Sequence, residues 1–166
     1  MTGPIRDSGI VEAGRHRFAI RVYYEDTDAA GIVYHAAYLA FAERARTEML
    51  RCGGLDHRTL QARCGVVFTV RRCLVEYRAP ARLDDLLEVR TRIVRLGGAS
   101  LDLEQRILRA GQLLAHLEVR LALLGSDLRV ARMSRELAAA FCRLRDPPQE
   151  PGATSGAGES FALDKQ

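Results

Sequence analysis

Three stretches in the second half of the chain alternate apolar and polar residues with a period of two, and nothing else constrains the fold as strongly. In 113–124 the odd positions are Leu113, Ala115, Leu117, Val119, Leu121 and Leu123, with His116, Glu118 and Arg120 between them. Residues 87–93 repeat the pattern, with Leu87, Val89 and Ile93 set against Glu88, Arg90 and Arg92. So do 101–107, with Leu101, Leu103 and Ile107 set against Asp102, Glu104 and Arg106. Period two is the mark of a strand with one face buried and the other in water. Gly97-Gly98 and Ala110-Gly111 fall between these stretches, where antiparallel neighbours turn. A sheet of this kind has one apolar face that needs a cover.

The cover is found upstream. From Ala36 to Arg51, Tyr38, Phe41, Ala42, Ala45 and Met49 recur at spacings of three and four, while Glu43, Arg44, Arg46 and Glu48 lie between them. That is an amphipathic helix, and Gly53-Gly54 closes it. A strand over 17–24 precedes the helix. Another, rich in Val, Phe, Tyr and Leu, runs over 66–77 and stops at Ala79-Pro80, and a short helix from Arg135 to Leu144 follows the sheet. The class is α+β, one long helix packed on one face of a curled antiparallel sheet. Residues 1–14 lack periodicity and read as a flexible N-terminus. From Asp146 the chain becomes PPQEPGATSGAGES, a Pro/Gly/Ser-rich composition that cannot bury a core, so 146–166 read as a disordered tail and 15–145 as the folded unit.

At 166 residues there is room for one domain, and no run approaches the roughly 20 apolar residues of a membrane span. Met1 to Ile10 carries no apolar core of a secretory signal, so the reading is a cytoplasmic protein. The net charge of +4 invites an anionic partner. Yet every Lys or Arg except Lys165 is an arginine, and these are spread along all segments, mostly beside Glu or Asp. The pattern describes solvated faces and not the clustered stripe of a nucleic-acid binder. Cys52, Cys64, Cys73 and Cys142 lack the paired spacing of zinc or redox sites and read as reduced and structural, with no metal expected.

Signature motifs of dinucleotide binding, phosphate loops, α/β-hydrolase elbows and zinc proteases are absent. The distinctive segment is the link from the first strand to the helix, Tyr23 to His35, in which Glu25, Asp26 and Asp28 precede a turn around Gly31 and a histidine at the helix start. Unpaired N–H groups and the dipole at a helix N-terminus favour negative charge. A carboxylate close to such donors suits attack on a carbonyl, with the oxyanion held by backbone N–H groups. Ile32, Val33 and Tyr34 would exclude water. The residues alone leave a plainer alternative open, in which Asp28 ends a strand and caps a turn and His35 is a cap or packed imidazole. Glu43 and Glu48 read as the helix's polar flank.

Arg21-Val22, Thr27-Asp28, Gly31-Ile32 and Val33-Tyr34-His35 resemble the hotdog-fold acyl-CoA thioesterases of the 4-hydroxybenzoyl-CoA thioesterase type. RVYYEDTDAAGIVYHAAYLAFAERARTEML (Arg21 to Leu50) and VEYRAPARLDDLLEV (Val75 to Val89) are similar, more closely, to the Tol-Pal-associated thioesterases of Gram-negative bacteria. The likeness continues to about Arg143. It implies a hotdog fold, a homodimer with a continuous sheet paired into a homotetramer, and hydrolysis of acyl-CoA without metal or redox cofactor. It also implies roles. Asp28, not Asp26, is the nucleophile or general base; the His35 N–H polarises the thioester carbonyl, and its imidazole orients water or assists the leaving thiolate. Gly31 and Tyr34 shape the turn, and Arg71, Arg72 and Arg95 are candidates for the CoA phosphates. Ala37 stands where the family often carries Asn or Ser, so no side-chain hydrogen bond is expected there. Two other readings fit the same segment: a hotdog dehydratase pairing His35 with Glu43 or Glu48, and an acyl-binding module that docks an acidic acyl carrier protein or the enzymes of phospholipid and envelope synthesis.

Overall fold

The computed structural model describes residues 8–145; the tail read from Asp146 onward and residues 1–7 lie outside the described residues. Six antiparallel strands form one sheet: β1 (Ile10–Glu12), β2 (Arg15–Arg21), β3 (Val66–Tyr77), β4 (Leu86–Leu96), β5 (Ser100–Arg109) and β6 (Gln112–Gly125), in the order β1-β2-β4-β5-β6-β3. Helix α1 (His35–Cys52) lies against β1, β2, β4 and β5. A single turn, α2 (His57–Thr59), runs into a π-helical turn (Leu60–Cys64), and α3 (Arg135–Leu144) closes the domain.

The period-two pattern sorts residues between the two faces as expected. Leu87, Val89, Ile93, Leu101, Leu103, Ile107, Leu117, Val119 and Leu123 are buried with Tyr38, Phe41, Ala42, Ala45 and Met49 of α1. The charged positions between them face away. Across that outer face Arg17 bonds Glu88, Arg92 bonds Glu104, and Arg95 and Arg120 both bond Asp102. The core also holds a polar network. Gln105, fully buried, donates to the Ala42 carbonyl (2.9 Å) and to Thr91 Oγ1 (3.0 Å) and accepts from Arg46 Nη1 (2.7 Å). Arg46 in turn bonds Glu43. These bonds pin one turn of α1 to β4 and β5 by direction as well as by apolar contact.

Three differences from the sequence reading have physical causes. Ile10–Glu12, inside the segment read as flexible, forms β1 by pairing with Arg15–Arg17. The strand read over 17–24 ends at Arg21: Val22 bonds Asp84 and Asp85, and the Tyr23 N–H is taken by the Asp26 carboxylate, which opens a 3-10 turn over Tyr24–Asp26. Finally, β3 carries an extra residue between Val70 and Arg72, a bulge that hides any simple alternation. At the sheet's edge, β3 pairs only with β6 and is exposed over most of its 12 residues.

Candidate active site

The link between β2 and α1 folds into a small hairpin. Thr27 bridges Val33, the Asp28 carbonyl accepts from Gly31 N–H (2.9 Å), and Asp28 Oδ1 accepts from Ala30 N–H (2.8 Å). Gly31 adopts φ +73°, a left-handed conformation that costs glycine nothing. The hairpin is stitched to the segment after β3, because Val33 N–H bonds the Ala81 carbonyl (2.8 Å) and Ile32 bridges Arg82. Tyr38 completes the seam by accepting the buried Ala81 N–H (2.9 Å) on its hydroxyl.

These contacts leave a cavity of about 340 Å³ between the hairpin, the start of α1 and the end of β3. Asp28, Ile32, Val33, His35 and Tyr38 form one side; Tyr77, Arg78, Ala79 and Pro80 form the other. The two neighbouring aspartates have separate positions. Asp26 is buried and accepts the Tyr23 N–H through Oδ2 (2.8 Å), whereas Asp28 is exposed to the cavity and Oδ2 has no partner among the described residues. Tyr34 is the N-cap of α1 but caps no N–H with its side chain; its ring packs on His35 at 4.3 Å. Ala37 N–H is taken by the Tyr34 carbonyl (2.8 Å), which leaves the His35 and Ala36 N–H groups without a partner among the described residues, and His35 lines the cavity. Tyr77 donates its hydroxyl to the His35 carbonyl (2.9 Å), and burial pushes its phenol pKa up. Burial likewise raises Tyr38, against the smaller opposing effect of the Ala81 N–H.

A second hollow of about 350 Å³ lies on the outer face of the sheet. Two of its carboxylates, Asp102 and Glu104, are held below their usual range. The Arg120 hydrogen bond, helped by Arg95 and opposed by desolvation, holds Asp102 below its usual range. Desolvation pushes Glu104 up, but Arg92 and His116 outweigh it and leave it lowered.

Residues 22–141 match the model of the thioesterase-like superfamily. The chain belongs to that superfamily. Its fold is the hotdog fold, with α1 against the sheet. The acyl-CoA thioester hydrolase YbgC of Escherichia coli is 57% identical over 94 residues, 57% of this chain and 69% of that protein. The acyl-CoA thioesterase YbgC of Haemophilus influenzae is 41% identical over 129 residues, 77% of this chain and 95% of its own. Among solved structures, the gentisyl-coenzyme A thioesterase BH1999 superposes with a TM-score of 0.69 at 25% identity, covering 75% of this chain and 98% of its own.

Within the superfamily's fold, the residues singled out from the sequence are only partly brought together. Asp28 and His35 share the cavity, with Gly31 and Tyr34 in the turn and cap that form it. The arginines do not join them. Arg71 lies exposed in the bulge region of β3, Arg72 lines the outer hollow, and Arg95 is bound to Asp102. The cation at the cavity is Arg78, paired with Glu76 at 2.8 Å. Glu43 and Glu48 are engaged by Arg46 and Arg51 and neither lines the cavity, so the His–Glu pair that a dehydratase needs is not formed in the chain. Sequence reasoning misses Tyr77, Arg78 and Pro80 as site residues; the one signal for them is the strand stop at Ala79-Pro80. None of the four cysteines forms a disulfide, and Cys52, Cys73 and Cys142 are exposed and not core residues. Among the described residues no helix is long and apolar enough to cross a membrane.

Proposed function

We propose that this chain hydrolyses acyl-CoA thioesters to a carboxylic acid and CoA, with Asp28 as the reacting carboxylate. The observation that carries the reading is that Asp28 shares one cavity with the open N-terminus of α1. The thioester carbonyl oxygen sits at the first N–H groups of α1, which take up the charge that develops there. Asp28 either attacks the carbonyl carbon itself or removes a proton from the water that does. On the first route a C–O bond to Asp28 forms as the C–S bond breaks, and water then cleaves the resulting mixed anhydride to the acid and free Asp28. On the second the water oxygen forms the C–O bond as the C–S bond breaks, and on either route a proton from that water ends on the CoA thiolate. Val33 and Ile32 wall the reacting centre, and Arg78 is the cation placed to meet the acidic part of CoA.

The acting species is a homodimer. An exposed edge strand is a template for pairing, and β3 presents Val70, Leu74 and Tyr77, each about half exposed, along an edge that β6 leaves open. Antiparallel pairing of two β3 strands would continue the sheet, and the cavity's β3 wall would then lie at the junction. Pairing of two such dimers gives the homotetramer.

The test is thiol release from a panel running from short aliphatic through long-chain to aromatic acyl-CoAs, together with an acyl carrier protein thioester. Wild type and Asp28→Asn are assayed in parallel. The expected result is release by wild type, lost by at least about a hundredfold in Asp28→Asn. Equal release by both proteins would overturn the role of Asp28. Binding of carrier protein without release by wild type would favour a docking module.

A further inference from the structure

The open edge of β3 limits how a second copy can lie along it. Cys73, Val75 and Tyr77 stand opposite the buried Val119, Leu117 and Ala115 of β6, and Val70, beyond the extra residue, stands opposite Leu121. These four share the face that α1 covers. Arg72, Leu74 and Glu76 stand opposite Arg120, Glu118 and His116 and share the outer face. The Arg78 N–H bonds the Leu114 carbonyl (2.7 Å), so by alternation Cys73, Val75 and Tyr77 turn their N–H and C=O groups to the open edge. Directly opposed residues of an antiparallel pair share a face, so two copies of β3 meet about an axis that passes through a residue and not between two. Centred on Cys73, the axis sets Arg72 against Leu74 of the partner subunit. Centred on Val75, it sets Arg72 against Arg78 of the partner subunit, like against like. Centred on Leu74, it sets Arg72 against Glu76 of the partner subunit, Leu74 against Leu74 of the partner subunit, and Cys73 against Val75 of the partner subunit. The extra residue then brings Val70 of the partner subunit to Tyr77. Within one copy the Arg72 side chain has no hydrogen bond or ion pair among the described residues, and Leu74 is 45% exposed on a charged face. Of the three registers, the one centred on Leu74 gives each of them a partner of its own kind.

We propose that two copies join through β3 in the register centred on Leu74, so that Val70 of the partner subunit covers Tyr77 and completes the wall of the Asp28 cavity. The proposal rests on reading the acting species as a dimer and the Asp28 cavity as the thioester site. Tyr77 walls that cavity and yet is 47% exposed in a single copy. With Val70 of the partner subunit against it, that flank is closed to water. Each dimer gains two Arg72–Glu76 pairs, one on either side of the axis, and its two cavities lie toward opposite ends of one strand pair.

On the axis, Leu74 takes a non-hydrogen-bonded site, where opposed Cα atoms lie about 4.5 Å apart, within the span of a disulfide. Leu74→Cys is made together with Cys73→Ser and oxidised mildly beside wild type, and the bridges are located by peptide mass spectrometry. The expected result is a bridge between the two copies at position 74, with thiol release by the bridged dimer within about twofold of the unoxidised protein. Wild type should form no Cys73–Cys73 bridge, because that diagonal pair lies about 7–8 Å apart. Arg72→Glu should weaken the dimer at least about fivefold in a dilution series followed by light scattering, and adding Glu76→Arg should restore it. Failure to bridge at position 74 in a dimeric protein, or a Cys73–Cys73 bridge in wild type, overturns the register and leaves the dimer standing. No recovery in the double charge exchange overturns the Arg72–Glu76 contact. A bridged dimer that has lost thiol release, where the unoxidised protein is active, overturns the placement of Val70 at the cavity. A monomeric wild type removes the dimer reading and this inference together. A dimer that bridges at position 74 while wild type releases no thiol removes the hydrolytic reading and leaves the register.

Discussion

Replacing Gln105 by leucine keeps the volume and removes three hydrogen bonds from the middle of the core. The Ala42 carbonyl retains its helical partner and loses little, and the Thr91 hydroxyl loses a donor at a site that water does not reach. Most of the cost falls on Arg46, whose Nη1 is left without an acceptor while its side chain is only 10% exposed. A hydrogen bond involving a charged group contributes about 1.5–3 kcal/mol, and the better burial of leucine offsets part of the rest, so the net cost is about 2–3 kcal/mol. At roughly 0.3 kcal/mol per kelvin for a domain of this size, Tm should drop by about 7–10 °C. Arg46→Met alone should also destabilise, because it strands Gln105 Oε1. The double variant Gln105→Leu/Arg46→Met removes both ends of the bond, and its loss should be smaller than the sum by at least about 1 kcal/mol. The assay is thermal unfolding by calorimetry at one fixed protein concentration, with thiol release at about 25 °C as the control for an intact cavity. Strict additivity of the two substitutions, or a Gln105→Leu shift under about 2 °C, would refute the account of how α1 is pinned.

The adjacent aspartates should separate cleanly. Asp26→Ala should lower Tm by about 3–7 °C, for a lost buried bond of about 1–2 kcal/mol, whereas Asp28→Asn should leave Tm within about 2 °C; melting curves of both variants check this. His16 is buried with Nδ1 unpartnered among the described residues, and desolvation lowers its pKa from 6.5, against the raising effects of the Ser8 carbonyl and Glu48. The unfolded chain then takes up a proton that the folded chain refuses. Stability is full above pH 6.5 and falls below it by at most about 1.4 kcal/mol per pH unit. Urea unfolding between about pH 5 and 7 should show this slope in wild type and a flatter one in His16→Leu. Val70→Glu, on the open edge, should convert a dimer to a monomer by light scattering and lower thiol release at least about tenfold. A monomeric wild type of full activity would contradict the dimer.

The sheet was legible because only one of its faces is covered. Leu117 and Val119 alternate with Glu118 and Arg120 since α1 and water impose opposite demands on neighbouring residues. Where that condition fails, the pattern fades. β3 is exposed on both faces over most of its length, and β1 is too short for any period to show. Within the site, Asp28, Gly31, Tyr34 and His35 could be picked out because a single hairpin gathers them, so adjacency in sequence stands in for adjacency in space. Tyr77, Arg78 and Pro80 reach the same cavity only through the β3–β6 pairing and the Val33–Ala81 seam, which local spacing does not encode. The arginines show the complementary failure. Arg72 and Arg95 carry the charge that a phosphate needs, but the strand register turns them to the outer face. Arg46 reads as solvent-facing by its position on the helix, whereas the buried Gln105 draws it inward.

Val70 and Tyr77 are separated by an odd interval, which in a regular strand would put them on opposite faces; the extra residue between Val70 and Arg72 resets the count and lets both follow the inward-facing positions Leu121 and Ala115 of β6. That makes this stretch intolerant of a kind of change that leaves composition almost untouched. Any side chain from Cys73 to Tyr77 can be exchanged one at a time with local consequences, but one residue inserted or lost there shifts the phase of everything after it. Tyr77 would turn to the outer face and Glu76 or Arg78 would take its place beside His35. In this segment a change of length is therefore more damaging than a single substitution.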